Sequence, residues 1–481
     1  MNRAAMSPAP HLDPLGNPVS PGEPATLAAI DAFVRGFLGY RPEIADILAA
    51  AEAEPTHALA QAYAGLLHLL SETGSIPEPA RIAHARADAA RTTATPREAC
   101  AIDALSAWLA GDIPACQAAC RRALALAPRD LAMLKLHQYH DFNRGQFLSM
   151  LRAALDVADA NTDQPAWWGM AAFAYEQCHL MDDAERAARH ALSLDPAEPW
   201  AQHALAHCLL TTGRIDDGIA FLEAASPGWA SLTSFMDTHH WWHLALFYIA
   251  RGRFADALAA YDHHAWARER TFSQDQIGAV SLLARLECAG IDVTPRWDDL
   301  GTHLAARATD TDQPFLSLQY LYGLARARRP EAHTLLAAIT RRAETAPADL
   351  HTAWAEITLP AARALFAHAT GDHATTVTLL GPALARLDTI GGSHAQRDLF
   401  EQLFLDALLQ AGHDSRAQQI LEHRRQSDPT DVPINRALAA LYTRAALPGP
   451  AAAAVARVTQ GLRPCTPAGG SAPCTRDQSS P

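Results

Sequence analysis

Four turn residues recur at a fixed interval through the middle of the chain, and this periodicity limits the fold more than any other feature. Successive turns lie 34 residues apart, at Gly111, Gly145, His179 and Gly213. Each follows an amphipathic stretch of helix-forming residues, and glycine often ends a helix because it adopts a left-handed backbone at little cost. The interval therefore predicts a row of similar helical hairpins, each of which buries its apolar face against the next.

Further markers keep the same register. Small side chains, which let two helices approach closely, lie five residues after three of the four turns, at Cys116, Ala184 and Gly218. Pro128 and Pro196 follow the second helices of their units, and proline cannot continue a helix. A period of 34 residues is that of the tetratricopeptide repeat. We therefore predict an all-α protein, a right-handed superhelical solenoid of tetratricopeptide-like helical hairpins.

The same patterns predict one helical domain over residues 22–445, with its most regular repeats at about 97–262. Degenerate repeats flank the regular ones and need neighbours to bury their apolar faces. Residues 1–21 are expected to form a flexible leader. Residues 446–481, rich in Ala, Pro, Gly and Ser, are expected to be disordered because this composition buries little apolar surface.

Composition narrows the classes of function. The chain has 52 acidic and 39 basic side chains, a formal net charge of -13, which argues against nucleic acid as a partner. No signal-peptide core and no run of about 18 apolar residues is present, so a cytoplasmic protein without a membrane partner is expected. The eight cysteines lack the two-residue spacing of zinc and redox motifs and are expected to be core residues of a reducing compartment.

Aromatic, imidazole and carboxylate side chains share one helix face near the repeat turns. Offsets of 3, 6, 10 and 13 residues before a turn fall on one stripe of a helix. The residues at these offsets are Glu176, Trp200, His203, His207, His239 and Trp242, and His243 lies one turn from His239. First helices of successive repeats line the concave surface, so a common groove is expected. The groove is extended by Lys135, Tyr139, Phe142 and Phe173.

Three interpretations of this cluster stay open. The histidines form two pairs spaced four residues apart on neighbouring helices, His203 with His207 and His239 with His243. Such pairs collect Zn²⁺ or a similar divalent ion, with Glu176 as a further ligand or base. Without a metal, one histidine exchanges a proton while Glu176 orients it. In the third interpretation, the rings pack and hydrogen-bond across a repeat interface, or dock a peptide.

The chain resembles the tetratricopeptide repeat protein 38 family from residue 12 to about residue 435. The most specific segments are residues 200–207, 213–218 and 239–247, and Arg296-Trp297 and residues 391–398 also resemble family signatures. The resemblance implies a helical-repeat fold and no particular activity. Members usually carry Glu-Glu where this chain has Glu176-Gln177, and Asn where it has His240, so a chemistry shared with the family does not follow.

Histidines of the C-terminal half are expected to be dispersed surface residues without a special role. They are His351, His368, His373, His394 and His413. The segment Gly391-Gly392-Ser393 is not a nucleophile turn because no strand precedes it. Ser393 is expected to cap the N-terminus of a helix.

The leading functional prediction is a cytoplasmic recognition scaffold that holds a protein, a peptide or a small ligand in the histidine- and tryptophan-lined groove. The alternative is an enzyme, for example of specialised metabolism, that uses the same pocket for metal-assisted or His/Glu acid–base catalysis. Its catalytic candidates are Glu176, His203, His207, His239 and His243. A divalent metal such as Zn²⁺, held by the four histidines, is the one cofactor considered.

Overall fold

The computed structural model describes residues 11–463, which form an all-α, right-handed superhelical solenoid. The helices are α1 Pro24–Gly39, α2 Asp46–Ala53, α3 Ala58–Leu69, α4 Glu78–Ala89, α5 Pro96–Leu109, α6 Ile113–Leu126, α7 Leu131–Asn143, α8 Phe147–Leu155, α9 Pro165–Gln177, α10 Met181–Leu194, α11 Pro199–Thr211, α12 Ile215–Ala225, α13 Ser234–Ala250, α14 Phe254–Ala260, α15 Ser273–Cys288, α16 Thr294–Leu304, α17 Pro314–Arg326, α18 Glu331–Thr345, α19 Ala348–His351, α20 Leu359–Ala369, α21 His373–Leu384, α22 His394–Gln410, α23 Asp414–Arg425, α24 Val432–Arg444 and α25 Pro448–Gly461. Short 3₁₀ turns lie at Pro42–Ala45, Arg91–Thr93, Ala158–Ala160, Ser226–Ser231, Ala305–Arg307 and Leu387–Ile390, and π-helical turns at Tyr261–Ala265 and Thr352–Thr358.

Neighbouring helices pair as hairpins, among them α5 with α6, α7 with α8, α9 with α10 and α11 with α12. The four predicted turn residues lie between the helices of these pairs, and all have a positive φ. His179 reaches 59° without being a glycine. The repeat register predicted from the 34-residue spacing is therefore confirmed.

The predicted small residues are contact points between helices. Cys116 and Ala184 are fully buried, and a methyl group added at Gly218 would overlap the ring of Phe247 in α13. Two apolar cores, one N-terminal and one C-terminal, meet at α8 and α9, so the layer is continuous. No helix within residues 11–463 combines the length and the apolar character needed to cross a bilayer.

Both ends of the described chain differ from expectation. Strands β1 His11–Leu12 and β2 Pro18–Val19 pair antiparallel, so the leader is ordered from residue 11. The carboxylate of Asp13 fixes this hairpin, because it accepts hydrogen bonds from the backbone of Leu15 and Asn17. The tail forms α25, since its alanines are the strongest helix formers. The expectations for residues 1–10 and 464–481 lie outside the described residues.

The end of α1 covers the inner surface of the repeats. The ring of Tyr40 stacks on Trp200 with 5.4 Å between ring centroids, and the Nζ of Lys135 lies 3.4 Å from the centroid of the same ring. The carbonyl oxygen of Tyr40 accepts a hydrogen bond of 2.7 Å from the backbone of Thr233. The centre of the predicted open groove is therefore occupied by the chain itself.

A buried carboxylate ties three distant parts of the chain together. Glu72 accepts hydrogen bonds from the hydroxyl of Tyr139 at 2.8 Å and from the side-chain amides of Gln274 and Gln313 at 2.7 and 3.2 Å. Ser273 donates to the same carboxylate. Hydrogen bonds to a buried charged group are among the strong ones, so this residue links α7, α15 and α17 to the N-terminal repeats.

Loops of the C-terminal half close the superhelix on its repeat turns. A methyl group added at Gly145 would overlap the carbonyl of Asp388, and one added at Gly213 would overlap the carbonyl of Ser427. A methyl group added at Gly111 would have no atom of another residue within 4 Å. The two inner turns are therefore docking points, whereas the turn at Gly111 is free.

These turns allow a matched test of closure. All three glycines have φ between 64° and 74°, so alanine at any of them carries a similar left-handed strain of about 1–2 kcal/mol. We expect Gly111→Ala to lower the free energy of unfolding by only this amount. Gly213→Ala should lose about 1–3 kcal/mol more, because the Ser427 loop must move. Urea unfolding followed by circular dichroism measures the difference, and equal losses would contradict the docking.

Candidate functional site

Four histidines from α11 and α13 meet inside the repeat layer. The Nε2 atom of His203 lies 3.1 Å from the Nε2 of His239 and 3.1 Å from the Nε2 of His207. One ring nitrogen from each of these residues and from His243 lies within 4.8 Å of all the others. The spacing of four residues places each pair on one helix face, and adjacent first helices bring the two faces together. The predicted cluster is therefore assembled as a compact group.

This group of four, the histidine cluster, is mostly buried. His203, His207 and His243 are at most 2% exposed, and only His239 is partly exposed. Neither ring nitrogen of His243 has a hydrogen-bond partner among the described residues, nor has the Nδ1 of His203. A buried polar atom without a partner is costly, so the cluster offers several lone pairs to one shared ligand.

Burial also keeps three of these rings neutral. It lowers the pKa of His203, His239 and His243 well below the ordinary value, and neighbouring imidazoles lower it further because like charges repel. A neutral imidazole has one free lone pair, whereas an imidazolium has none. The cluster therefore holds the form of histidine that binds a cation.

Aromatic side chains form the walls of the cluster, and they include Phe173, Trp200 and Trp242, three of the residues predicted to line the groove. Trp200 stacks on His203 at 4.4 Å between centroids, and Trp242 stacks on His239 at 5.2 Å. Phe173 lies 5.0 Å from His203. Such apolar walls exclude water, which strengthens electrostatic interactions inside.

Glu176 lies directly behind the cluster. It is fully buried, and its Oε1 is 3.5 Å from the Nδ1 of His207 and 3.3 Å from the Nδ1 of His394. Burial opposes the charged form, yet the two imidazoles outweigh it and hold the pKa of Glu176 well below its usual range. The carboxylate therefore faces the Nδ1 of His207 without a hydrogen bond, and the Nε2 of His207 is directed at the cluster.

The expectation that His394 is a dispersed surface residue was wrong. Its ring packs on His179 with 3.9 Å between centroids, beside Glu176. Ser393 caps α22 as expected, and its hydroxyl accepts the backbone N–H of Gln396. The expectation also fails for His368 and His373, which meet near Asp406.

A cavity of about 630 Å³ lies below the histidine cluster, between the C-terminal ends of α11, α13 and α15 and the helices α22, α23 and α24. His394 forms part of its wall. In another part of the wall, the carboxylate of Asp398 forms ion pairs with Arg285 at 2.7 Å and with Arg424 at 2.5 Å. Burial opposes ionisation of Asp398, but the two guanidinium groups hold its pKa well below the usual range. The cavity therefore has a fixed, charged wall.

The remaining predicted groove residues do not line an open surface. Tyr139 donates its hydroxyl to Glu72, and Phe142 packs against Phe173 at 5.6 Å between centroids. Lys135, the only lysine of the chain, donates to the carbonyl of Phe37 at the end of α1. Tyr139 and Lys135 therefore hold the N-terminal part of the chain against the repeats, whereas Phe142 packs between two repeats.

The model of the tetratricopeptide repeat family matches residues 180–227, which include two of the clustered histidines. Similar solved structures include a monomeric mutant of IFIT1 with Gppp-AAAA, at 11% identity and a TM-score of 0.41, covering 90% of this chain and 99% of that one. The human IFIT1 dimer with m7Gppp-AAAA has 11% identity and a TM-score of 0.42, covering 84% and 89%. The Naa15/Naa10 complex bound to HypK-THB has 15% identity and a TM-score of 0.24, covering 90% and 68%. Likeness at this level carries no argument about function.

The fold and the repeat match define a class. The protein is an all-α helical-repeat solenoid that contains a tetratricopeptide repeat at residues 180–227.

The buried lysine makes stability depend on pH. Burial lowers the pKa of Lys135 from 10.5 to about 7. Between these values the unfolded chain binds one more proton than the folded chain, so stability rises with pH by at most about 1.4 kcal/mol per unit. We expect this rise from pH 7 to 9 in urea unfolding, and its loss in Lys135→Met. In protein labelled with ¹³C-lysine, Lys135 gives a single side-chain signal by NMR. Titration of this signal near pH 10 would contradict the prediction.

Proposed function

We propose that this protein is a metal-stabilised helical-repeat scaffold that binds a small polar ligand in its interior. The histidine cluster holds one divalent transition-metal ion, with Zn²⁺ as the best fit to four imidazoles. The observation that carries the proposal is the convergence of four ring nitrogens within 4.8 Å.

The distances in the cluster suit a tetrahedral ion. Ligands about 2.0–2.1 Å from Zn²⁺ lie roughly 3.3 Å from one another. The Nε2 of His203 is 3.1 Å from two other Nε2 atoms. One ring nitrogen carries either a proton or a lone pair, so it cannot serve both neighbours well by hydrogen bonding. A shared cation satisfies all of them, and Glu176 supplies the outer contact that orients His207.

A site of four histidine ligands suits a structural metal ion better than a catalytic one. Catalytic zinc sites keep one position open for water or substrate, whereas structural sites are closed by four protein ligands. Three of the four imidazoles are buried, and the 630 Å³ cavity is not lined by any of them. The ion would therefore fasten α11 to α13, and the cavity would hold the ligand.

The size and lining of the cavity favour a small polar ligand over a peptide. Tyr40 and the C-terminal helices cover the inner surface, which leaves no long groove. Small-molecule sites typically enclose about 300–1,000 Å³, and this cavity falls within that range. Five carboxylates, three guanidinium groups and three imidazoles contribute to its wall. A ligand with charged or hydrogen-bonding groups matches such a wall.

Membership of the tetratricopeptide repeat protein 38 family and a cytoplasmic location are part of this proposal. The segments 200–207 and 239–247, which carry the resemblance, supply all four proposed metal ligands. The six cysteines within residues 11–463 form no disulfide, which fits a reducing compartment.

An enzyme is the second candidate, favoured by the pair formed by Glu176 and His394 at the cavity wall. A carboxylate 3.3 Å from an imidazole that borders a cavity is an acid–base arrangement that needs no metal. Native mass spectrometry should identify a small molecule that co-purifies with the protein. Conversion of that molecule by the wild type but not by His394→Gln would establish the enzyme, and release unchanged would establish the scaffold.

Removal of one ligand tests the metal directly. The protein is made without a histidine tag and dialysed against Zn²⁺, and its metal content is measured by mass spectrometry. The His243→Gln variant should bind one equivalent of metal fewer than the wild type. His263→Gln changes an exposed histidine and should keep it. Glu176→Gln should weaken Zn²⁺ binding about 10–100-fold, because only the outer contact is lost. Identical metal content in the wild type and His243→Gln would refute the site.

A further inference from the structure

A second group of metal-binding side chains lies in the C-terminal half of the chain. His368 lies near the end of α20, His373 begins α21, and Asp406 lies in α22. One ligand atom from each lies within 4.8 Å of the other two. The short turn between α20 and α21 brings the two imidazoles together, and α22 packs beside α21 and adds the carboxylate.

The distances and outer contacts of this group suit a metal ion. The Nε2 of His368 is 3.0 Å from the Oδ2 of Asp406. Two ligands about 2.1 Å from one ion, at a right angle, lie about 3.0 Å apart. The hydroxyl of Tyr322 is 3.3 Å from the Nδ1 of His368, and Gln410 donates to the Oδ1 of Asp406 at 3.3 Å. Such contacts fix the orientation of ligating side chains.

A simple histidine–aspartate pair explains only part of the arrangement. Such a pair needs His368 and Asp406 but has no use for a second imidazole. The Nδ1 of His373 is nevertheless buried without a hydrogen-bond partner. A cation shared by the three side chains would bind one ring nitrogen of His373. A hydrogen bond between His368 and Asp406 alone leaves both ring nitrogens of His373 unused.

The charge around the group favours a cation. A separate cavity of about 450 Å³ borders it, with three carboxylates and one guanidinium group in its lining. That guanidinium, from Arg326, is already paired with both oxygens of Glu287, at 2.6 and 3.0 Å. Of the other two carboxylates, Asp292 is exposed and Asp406 is paired with the imidazole of His368, so a divalent ion at Asp406 would meet no unpaired guanidinium in the cavity wall.

We propose that His368, His373 and Asp406 bind a second divalent transition-metal ion, of the Zn²⁺ or Fe²⁺ class. Two histidines and one carboxylate occupy one side of the ion and leave positions open on the other. Here the open side faces the 450 Å³ cavity, so the ion accepts a small anionic ligand from solvent. This site is separate from the histidine cluster and does not depend on it.

Zinc stoichiometry tests the second site. Tag-free protein equilibrated with Zn²⁺ should bind two equivalents, measured by metal mass spectrometry and calorimetric titration. His373→Ala and Asp406→Asn should each lose one equivalent, with binding at that site more than about tenfold weaker. Asp406→Asn keeps the size of the side chain, so it guards against misfolding of the alanine variant. His413→Ala, at an exposed position near the same helices, should keep both equivalents.

The two sites fail independently in this experiment. A wild type that binds one equivalent, lost in His243→Gln and kept in His373→Ala, overturns the second site and supports the first. The reverse pattern overturns the first and supports the second. Azide added to Co²⁺-loaded protein should change the visible spectrum, and Asp406→Asn should abolish the change. An azide response that persists in this variant would refute the open coordination.

Discussion

The contact between two repeat turns and two C-terminal carbonyls is the constraint on which the rest of the structure depends. Only a residue without a side chain lets Asp388 and Ser427 approach the turns at Gly145 and Gly213. An open solenoid has contacts only between neighbouring repeats, and its stability is a sum over neighbours. This chain adds contacts between residues more than 200 positions apart. It is therefore expected to unfold more cooperatively than a row of independent hairpins.

Closure also determines the chemistry of the interior. In an open superhelix the stripe of imidazoles would face water, and each ring would titrate near its ordinary pKa. With Tyr40 and α22 over the inner surface, His203 and His243 are buried among aromatic rings and stay neutral. Glu176 keeps its charge in the same surroundings because His207 of the next repeat and His394 of the C-terminal half both approach it. The neutral histidine cluster with its neighbouring carboxylate thus requires the closed form.

Periodicity predicted the parts of the molecule that depend on local pattern. The turn at His179 follows from the 34-residue interval, and the meeting of His203 with His239 follows from their offsets before successive turns. The position of His394 could not be predicted, because it depends on a contact between residues 218 positions apart for which a single sequence gives no spacing rule. The cover provided by Tyr40 was missed for the same reason. Local repetition encodes which face a side chain takes, whereas long-range docking decides whether that face remains open.

The interior cavity links ligand binding to closure. Its walls come from the ends of α11, α13 and α15 on one side and from α22 to α24 on the other, so it exists only when the two halves of the chain are docked. A ligand that binds only the docked form stabilises it, by about 2.7 kcal/mol at a concentration of 100 times Kd. The ion pair of Asp398 in α22 with Arg285 in α15 spans the same boundary and would be separated by opening. Binding of the proposed ligand in this cavity would therefore favour the docked arrangement of the C-terminal helices.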